Sequence, residues 1–162
     1  MTSSPWWKGP HGEWYVVAQI VLMVLVFFGP QTWSGLPIWA FAFDQIGSVA
    51  GVVLLLAGGF LLAAGIVRLG ANLTAVPYPK EQATLVETGP YSIVRHPMYS
   101  GGIILALGWA LLVHGWLTIG YAIILFLFFD VKSRREEQWL STKFSGYAAY
   151  QKRVRKLIPM VY

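Results

Sequence analysis

Four apolar stretches alternate with polar segments along the chain, at about residues 14–28, 46–67, 101–113 and 117–129. Gly29-Pro30 stops the first stretch, and Arg68 ends the second. Only the second has the ~20 residues that a helix perpendicular to a membrane requires. His114-Gly115-Trp116 separates the third stretch from the fourth, so this pair is predicted to form a helical hairpin.

The fourth stretch is predicted to continue as a helix past its apolar part. Residues 130–144 contain good helix formers and neither Gly nor Pro, so several further turns are expected to project into water. The expected fold class is therefore all-α, an integral-membrane helical bundle of about four spanning segments. The last two segments form the hairpin, and an amphipathic cytosolic C-terminal helix follows them.

Small residues give the second stretch a face on which another helix can pack closely. They include Gly47, Gly51, Gly58 and Gly65. No strand precedes these glycines and no Gly-x-Gly-x-x-Gly pattern occurs, so the sequence favours helix packing over a dinucleotide site.

Composition supports a membrane protein of one domain. Of the 162 residues 56% are hydrophobic and 12% are charged, and the mean hydropathy is +0.57, which leaves too little polar surface for a soluble fold. No linker divides residues 1–162, so we expect two N-terminal spans in 1–67 and the remaining elements in 68–162. The chain has no cysteine, which excludes disulfides and thiolate catalysis. The first residues do not resemble a removable signal peptide.

The positions of the charges predict an orientation. If all four stretches cross the membrane, the twelve Lys and Arg residues, from Lys8 to Lys156, fall on one side, whereas Asp44 and His114 fall on the other. The positive-inside rule then places both termini and the 68–100 loop in the cytosol of a multi-pass protein. The net charge of +5 is explained by a basic tail on anionic headgroups. No recognition motif accompanies it, so no nucleic-acid partner is expected.

A polar island at residues 89–102 contains Arg95, His96 and Tyr99 beside sequence that is expected to lie in hydrocarbon. The hairpin pairs residues whose numbers sum to roughly 230, so His96 lies level with about Arg134. Glu136 and Glu137 are then within about one turn of His96. Adjacent helical residues differ by ~100°, so one Glu is expected to face the partner helix and the other solvent or the neighbouring arginines.

Simpler explanations exist for the same residues. Arg95 could snorkel, His96 could be interfacial and Pro97 could only start a helix. The Arg-Arg-Glu-Glu run could be a solvated helix face, the tyrosines an aromatic belt and Asn72 a helix C-cap. A metal site is not expected, because the three histidines have no ligand spacing, and His11 and His114 are predicted on opposite sides of the membrane.

The polar blocks resemble a known family. Gly-Pro-Tyr-Ser-Ile-Val-Arg-His-Pro-Met-Tyr-Ser-Gly at 89–101, followed by Arg-Glu-Glu at 135–137, resembles the signature of the isoprenylcysteine carboxyl methyltransferase and phospholipid methyltransferase family. Further similar positions are Gly70, Asn72, Leu85, Val86, Gly89, Leu140, Phe144, Tyr147, Tyr150, Val154, Ile158 and Pro159. The resemblance covers roughly 66–160, whereas the first 65 residues match only as spanning helices.

The resemblance implies a membrane methyltransferase that uses S-adenosylmethionine and releases S-adenosylhomocysteine. Its cofactor-binding residues would be Thr84, Leu85, Val86, Tyr91, His96, Pro97, Met98, Tyr99 and Glu136. Within this set Glu136 would bind the α-ammonium of the cofactor, and the segment beginning at Thr84 would contact its adenosyl part. Glu137 would support Glu136 at the α-ammonium and is grouped with the candidate catalytic residues. The resemblance also implies an arginine that binds a carboxylate substrate, for which Lys132, Arg134 and Arg135 are the candidate positions.

The acceptor implied by the resemblance is a lipid, a lipidated molecule or an apolar small molecule that enters from the bilayer. A carboxylate acceptor needs no base, whereas the amine of phosphatidylethanolamine or a small thiol must first lose a proton. His96, Glu137 and Tyr99 are the candidate bases. The expected location is a bacterial or archaeal inner membrane. A non-enzymatic membrane scaffold is the alternative class; a transporter is disfavoured because the four apolar cores contain no ionisable residue.

Overall fold

The computed structural model describes residues 12–37, 39, 41–159 and 161–162. Lys8 and His11 lie outside these residues. The described part of the chain contains helices and one isolated β-bridge but no strand. The helices are α1 Glu13–Phe28, α2 Phe41–Leu69, α3 Pro97–Leu112, α4 Trp116–Lys143 and α5 Tyr147–Arg153, with short 3₁₀ turns at Gly70–Asn72 and Gly89–Ser92.

The helices confirm the all-α prediction and most of the predicted bounds. α1 agrees with the first apolar stretch to within one residue, and it ends where Gly29 donates to the carbonyl of Leu25 over 3.0 Å. α2 begins five residues earlier than its apolar core. α4 continues past its apolar part to Lys143, as the helix-forming residues there predict.

The turn between α3 and α4 is short, which makes the two helices an antiparallel hairpin. It contains Val113, His114 and Gly115, and His114 adopts a left-handed conformation with φ 51°. His114 Nε2 lies 3.0 Å from the carbonyl oxygen of Asp44, so this turn packs on the N-terminal end of α2. His96 stands at the other end of α3, directly before Pro97 at the first helical position.

Glycines bring the backbones of α2 and α3 into contact at two levels. A Cβ atom at Gly51 would lie 2.8 Å from the carbonyl oxygen of Gly108, and one at Gly58 would lie 2.8 Å from that of Gly101. Any larger residue at these positions would push the two helices apart. The predicted small-residue face of α2 is therefore a packing face, and its partner is α3.

Large apolar side chains cover much of the outer surface. Phe28, Phe60 and Val67 are 84%, 76% and 80% exposed, which is typical of a protein that faces lipid. The segments Asp44–Asn72 and Trp116–Lys143 are long and apolar enough to cross a membrane, by length and composition. α1 and α3 are apolar but have only 16 residues each.

The segment after α5, residues 154–159 and 161–162, which we call the tail, folds back onto the start of α3. Val94 and Arg155 form a parallel β-bridge, in which Arg95 N–H donates to the Arg155 carbonyl over 2.8 Å. His96 N–H likewise donates to the Lys156 carbonyl over 3.2 Å. Because its backbone is bonded on this side, His96 is held by the tail as well as by its own helix.

Candidate functional site

A cavity opens at the end of the bundle where α3 begins and α4 becomes polar. Its walls come from α1, the loop between α2 and α3, the first turn of α3, the polar part of α4, and α5. Most of the lining is apolar, and the charged or titratable side chains among it are Arg95, His96, Lys132 and Glu136, beside four tyrosines. Such a mostly apolar pocket with a few convergent polar groups is typical of a small-molecule site.

Glu136 is the carboxylate that lines the cavity, and two α3 residues orient it. The Tyr99 hydroxyl donates to Glu136 Oε2 over 2.8 Å, and His96 Nδ1 lies 3.7 Å from the same oxygen. The rings of His96 and Tyr99 stack with centroids 5.3 Å apart, and Tyr99 stacks in turn on Phe129 at 4.6 Å. These contacts fix the carboxylate while its side chain stays 26% exposed.

Glu137 lies behind His96 and is fully engaged in protein contacts. Its Oε1 accepts from Arg95 Nε over 2.7 Å and lies 3.1 Å from His96 Nε2, while its Oε2 accepts from Gln151 Nε2 over 3.1 Å. Arg95 also donates to the carbonyls of Gln151 and Val154. These contacts of Glu137 link the start of α3 with α4 and α5. Both glutamates therefore contact residues at the start of α3, and the expectation that one of them faces solvent or the neighbouring Arg134 and Arg135 is wrong.

Lys132 brings a buried cation into the cavity wall. Its side chain donates to Gln19 Oε1 over 2.6 Å and to the Ala75 carbonyl over 3.3 Å, and Nζ lies 5.2 Å from the centre of the Tyr99 ring. Lys132 precedes Glu136 by four residues, so both occupy one face of α4. The cavity thus presents a cation and a carboxylate side by side.

The loop between α2 and α3 forms the opposite wall. The Asn72 side chain fastens it, because Oδ1 accepts from Thr84 N–H over 3.1 Å and Nδ2 donates to Thr84 Oγ1 over 3.3 Å. Lys143, at the end of α4, donates to the carbonyls of Lys80 and Glu81. Leu85 then packs on an aromatic cluster around α5.

Two tyrosines of α5 complete the cavity. Tyr147 and Tyr150 are buried, and their rings meet edge to face at 5.8 Å. The Tyr150 hydroxyl donates to the Tyr91 carbonyl over 2.6 Å, whereas no described residue pairs with the hydroxyl of Tyr147. Burial raises the pKa of Tyr147, and Glu137 and Glu136 raise it further, so the hydroxyl is a proton donor at neutral pH.

Eight of the nine residues predicted around the cofactor line the cavity: Thr84, Leu85, Val86, Tyr91, His96, Met98, Tyr99 and Glu136. Pro97, the ninth, is buried at the start of α3 and is not part of the lining. Their roles toward a ligand stay predictions. The structure does bring together residues that are some forty positions apart in the chain.

Arg134 and Arg135 do not enter the cavity, although both were candidates to contact a substrate. Arg134 Nε donates to Asp130 Oδ2 over 2.9 Å, and its side chain is 64% exposed. Arg135 donates to Gln138 Oε1 over 2.9 Å and lies over the Trp139 ring. The reason is geometric: at ~100° per residue, Arg134 lies about 160° around α4 from Lys132, and Arg135 lies about 100° around it from Glu136.

Two groups at the cavity were not predicted from the sequence, the Gln19 side chain and the Tyr147 hydroxyl. Gln19 lies in the middle of an apolar stretch, and an isolated polar residue at that depth was the available signal. Lys132 is one of three candidates for binding a carboxylate substrate, with Arg134 and Arg135. Its spacing of four residues from Glu136 places it on the same face of α4 as that carboxylate and distinguishes it from the two arginines.

Comparisons with known proteins identify methyltransferases among the relatives of this chain. The family model described as phospholipid methyltransferase matches residues 46–146. The protein-S-isoprenylcysteine O-methyltransferase of Schizosaccharomyces pombe is 32% identical over 108 residues, which are 64% of this chain and 46% of that protein. The protein-S-isoprenylcysteine O-methyltransferase B of Arabidopsis thaliana is 30% identical over 115 residues, 68% of this chain and 58% of the relative.

A bacterial relative has a different name. The cobalt-zinc-cadmium resistance protein CzcN of Cupriavidus metallidurans is 29% identical over 149 residues, 91% of this chain and 62% of that protein. The chain therefore spans about half to three-fifths of the length of these curated relatives. Because the family model covers more than half of the chain, the chain belongs to the phospholipid methyltransferase family.

Proposed function

We propose that the protein is an S-adenosylmethionine-dependent membrane methyltransferase that modifies a lipid-like or apolar acceptor. The observation that carries the proposal is the meeting of His96, Tyr99 and Glu136 in one cavity. A scaffold protein has no need for an oriented carboxylate beside a buried lysine. Relatives named as O-methyltransferases support the same reaction class.

The residues of the cavity fit the cofactor by their chemistry. Glu136 would accept hydrogen bonds from the α-ammonium, since Tyr99 and His96 approach one of its oxygens and hold it in place. Leu85 and Val86 would contact the adenosyl part beside the α5 tyrosines. Tyr147 would donate its unpartnered hydroxyl to an acceptor atom of the ligand.

The reaction requires the enzyme to orient the methyl donor and the acceptor and to exclude water, and it needs no covalent enzyme intermediate. When bound, the cofactor would supply a methyl group on a sulfonium: the acceptor would bond to the methyl carbon in line with the breaking carbon–sulfur bond, and S-adenosylhomocysteine would leave as a neutral thioether. Holding two reactants in line contributes on the order of 7 kcal/mol or more. The stacked rings of His96 and Tyr99, backed by Phe129, form part of the cavity wall and would help to exclude water that competes with the acceptor.

Lys132 is our candidate for positioning the acceptor. It lies on the membrane side of Glu136, next to the apolar part of α4, and Gln19 of α1 holds its ammonium. A carboxylate acceptor, as in an isoprenylated cysteine, would pair with this ammonium and needs no base. The alternatives are a phospholipid amine or a small thiol, which would require a base such as His96.

The placement of the polar groups supports a cytosolic cofactor site in a multi-pass protein. The cavity lies at the end of the bundle that contains the basic residues, opposite the turn with His114. The positive-inside rule assigns this end to the cytosol. The acceptor would enter from the bilayer, whereas the cofactor would enter from water.

Two measurements on the detergent-purified chain test the proposal. Calorimetry is expected to detect S-adenosylmethionine binding to the wild type and a large loss in Glu136→Gln. Incubation with methyl-labelled cofactor and a membrane lipid extract is then expected to yield a labelled lipid-soluble product. If the folded wild type neither binds the cofactor nor labels any lipid, the proposal is wrong.

A further inference from the structure

A second concave surface lies on the side of α4 away from the cavity. We name it the basic crevice, and its cationic members are Arg95, Arg134, Arg155 and Lys156. The same crevice contains Glu137 and Tyr162. Arg95 borders both the cavity and the crevice, so one side chain separates the two.

The basic crevice has an excess of positive charge. Its four cationic side chains outnumber the two carboxylate side chains near them, Glu137 within the crevice and Asp130 beside it. Arg95 pairs with Glu137, while Arg134 and Lys156 share Asp130. The Arg155 side chain is exposed, and no described residue pairs with it.

The position of the basic crevice along α4 indicates what kind of molecule it binds. Asp130 directly follows Phe129, the last residue of the apolar part of α4, so the crevice begins where that part ends. Val161, which lines the crevice, is 72% exposed, and nearby Ile158 is 41% exposed. Cations that adjoin exposed apolar side chains at this level suit an amphiphile with an anionic head better than a free anion.

We infer that the basic crevice binds the phosphate headgroup of an anionic membrane lipid. Arg155 and Arg134 donate to the phosphate oxygens, and the acyl chains run along Ile158 and Val161 toward the apolar part of α4. The ligand is distinct from the methyl acceptor, because α4 and Arg95 stand between the crevice and the cavity. The inference does not depend on the proposed enzymatic activity.

Short-chain lipids test this inference on the detergent-purified full chain. Dihexanoyl phosphatidylglycerol is expected to raise the thermal unfolding midpoint in a saturable way, and dihexanoyl phosphatidylcholine is not. Arg155→Ala is expected to weaken the apparent affinity about fivefold, because one cation near an anionic lipid surface contributes about 1 kcal/mol. The Arg155 side chain is exposed and forms no hydrogen bond or ion pair with the described residues, so the variant is expected to fold.

Lys152→Ala provides the matched control. Lys152 is an exposed cation of α5, three residues before Arg155, but lies outside the crevice, so its removal is expected to leave the affinity within twofold of wild type. An equal loss in both variants would show a diffuse charge effect and overturn the inference. Equal stabilisation by glycerol phosphate, or by both lipids, would overturn it as well.

Discussion

The two sides of the polar part of α4 carry similar residues and use them differently. On the tail side, Glu137 bonds Arg95, His96 and Gln151. On the cavity side, Glu136 accepts one hydrogen bond of 2.8 Å from Tyr99, with His96 farther away. Both carboxylates lie in the same turn of one helix.

The difference separates a structural carboxylate from a binding one. A buried ion pair whose partners are all satisfied holds elements together, and removing one member leaves the others unpaired. A carboxylate that is oriented but only partly satisfied keeps its capacity for a ligand. Adjacent acidic residues in a motif therefore need not share a role.

The largest effect is expected on the tail side, in Glu137→Ala. The change leaves Arg95 and His96 without their carboxylate, which is expected to cost about 3 kcal/mol of stability. For a chain of this size that corresponds to a fall of about 9 °C in the thermal unfolding midpoint. Differential scanning fluorimetry in detergent micelles measures it. Gln138→Ala, at the next position along α4, which is exposed, is the control. Equal unfolding midpoints for the two variants would show that Glu137 has no structural role.

The second effect is expected on the cavity side, in Glu136→Gln. The substitution keeps the size of the side chain and removes the charge, so about 2 kcal/mol of cofactor affinity is expected to be lost, or about 30-fold. Calorimetry measures the affinity, and the unfolding midpoint is expected to change by no more than about 2 °C. A large fall in the unfolding midpoint with unchanged cofactor affinity would show that Glu136 is a structural residue rather than a binding one.

A smaller effect is expected from Lys132→Met, also on the cavity side. The apolar replacement fills similar space and removes the cation, so KM for a carboxylate acceptor is expected to rise about tenfold with little change in cofactor affinity. Gln19→Leu is expected to produce part of the same rise, because Gln19 only holds the ammonium. If KM for the acceptor stays constant in both variants, Lys132 does not position it.

The smallest effect is expected from Tyr162→Phe, at the edge of the tail side. The hydroxyl donates to Asp130 Oδ1 over 2.7 Å and accepts from Lys156 Nζ over 2.9 Å, but the residue is 39% exposed. About 0.5 kcal/mol of stability is expected to be lost, or one to two degrees in the unfolding midpoint. A change as large as that of Glu137→Ala would show that Asp130, rather than Glu137, anchors the tail.

The sequence predicted the meeting of His96 with the two glutamates because a short turn fixes the pairing of antiparallel helices. With three residues between α3 and α4, positions near 96 and 136 come within one turn of each other whatever the packing. The helix in 130–143 followed equally from its residue types. These are local properties, and local properties can be predicted from the sequence.

The division of roles between Glu136 and Glu137 could not be predicted in the same way. It depends on α5 and the tail returning to α3, which places Gln151 and Arg95 beside one glutamate. Gln19 reaches Lys132 because of the way α1 leans on α4, and no pattern along the chain encodes that angle. Contacts between elements distant in sequence are decided by the packing of the whole bundle.

The glycine contacts between α2 and α3 determine which parts of the bundle can move. The backbones of α2 and α3 touch at Gly51 and at Gly58. Because the two helices cannot slide past each other without a clash, they are expected to move as one unit. α1 packs on α3 through larger side chains, such as Phe27 against Trp109, and the segment after α1 is joined to α4 by a hydrogen bond from Leu117 N–H to the Gln31 carbonyl. Widening of the cavity toward the bilayer would therefore be a hinge motion of α1, which, like α5, lies outside residues 46–146 of the family match.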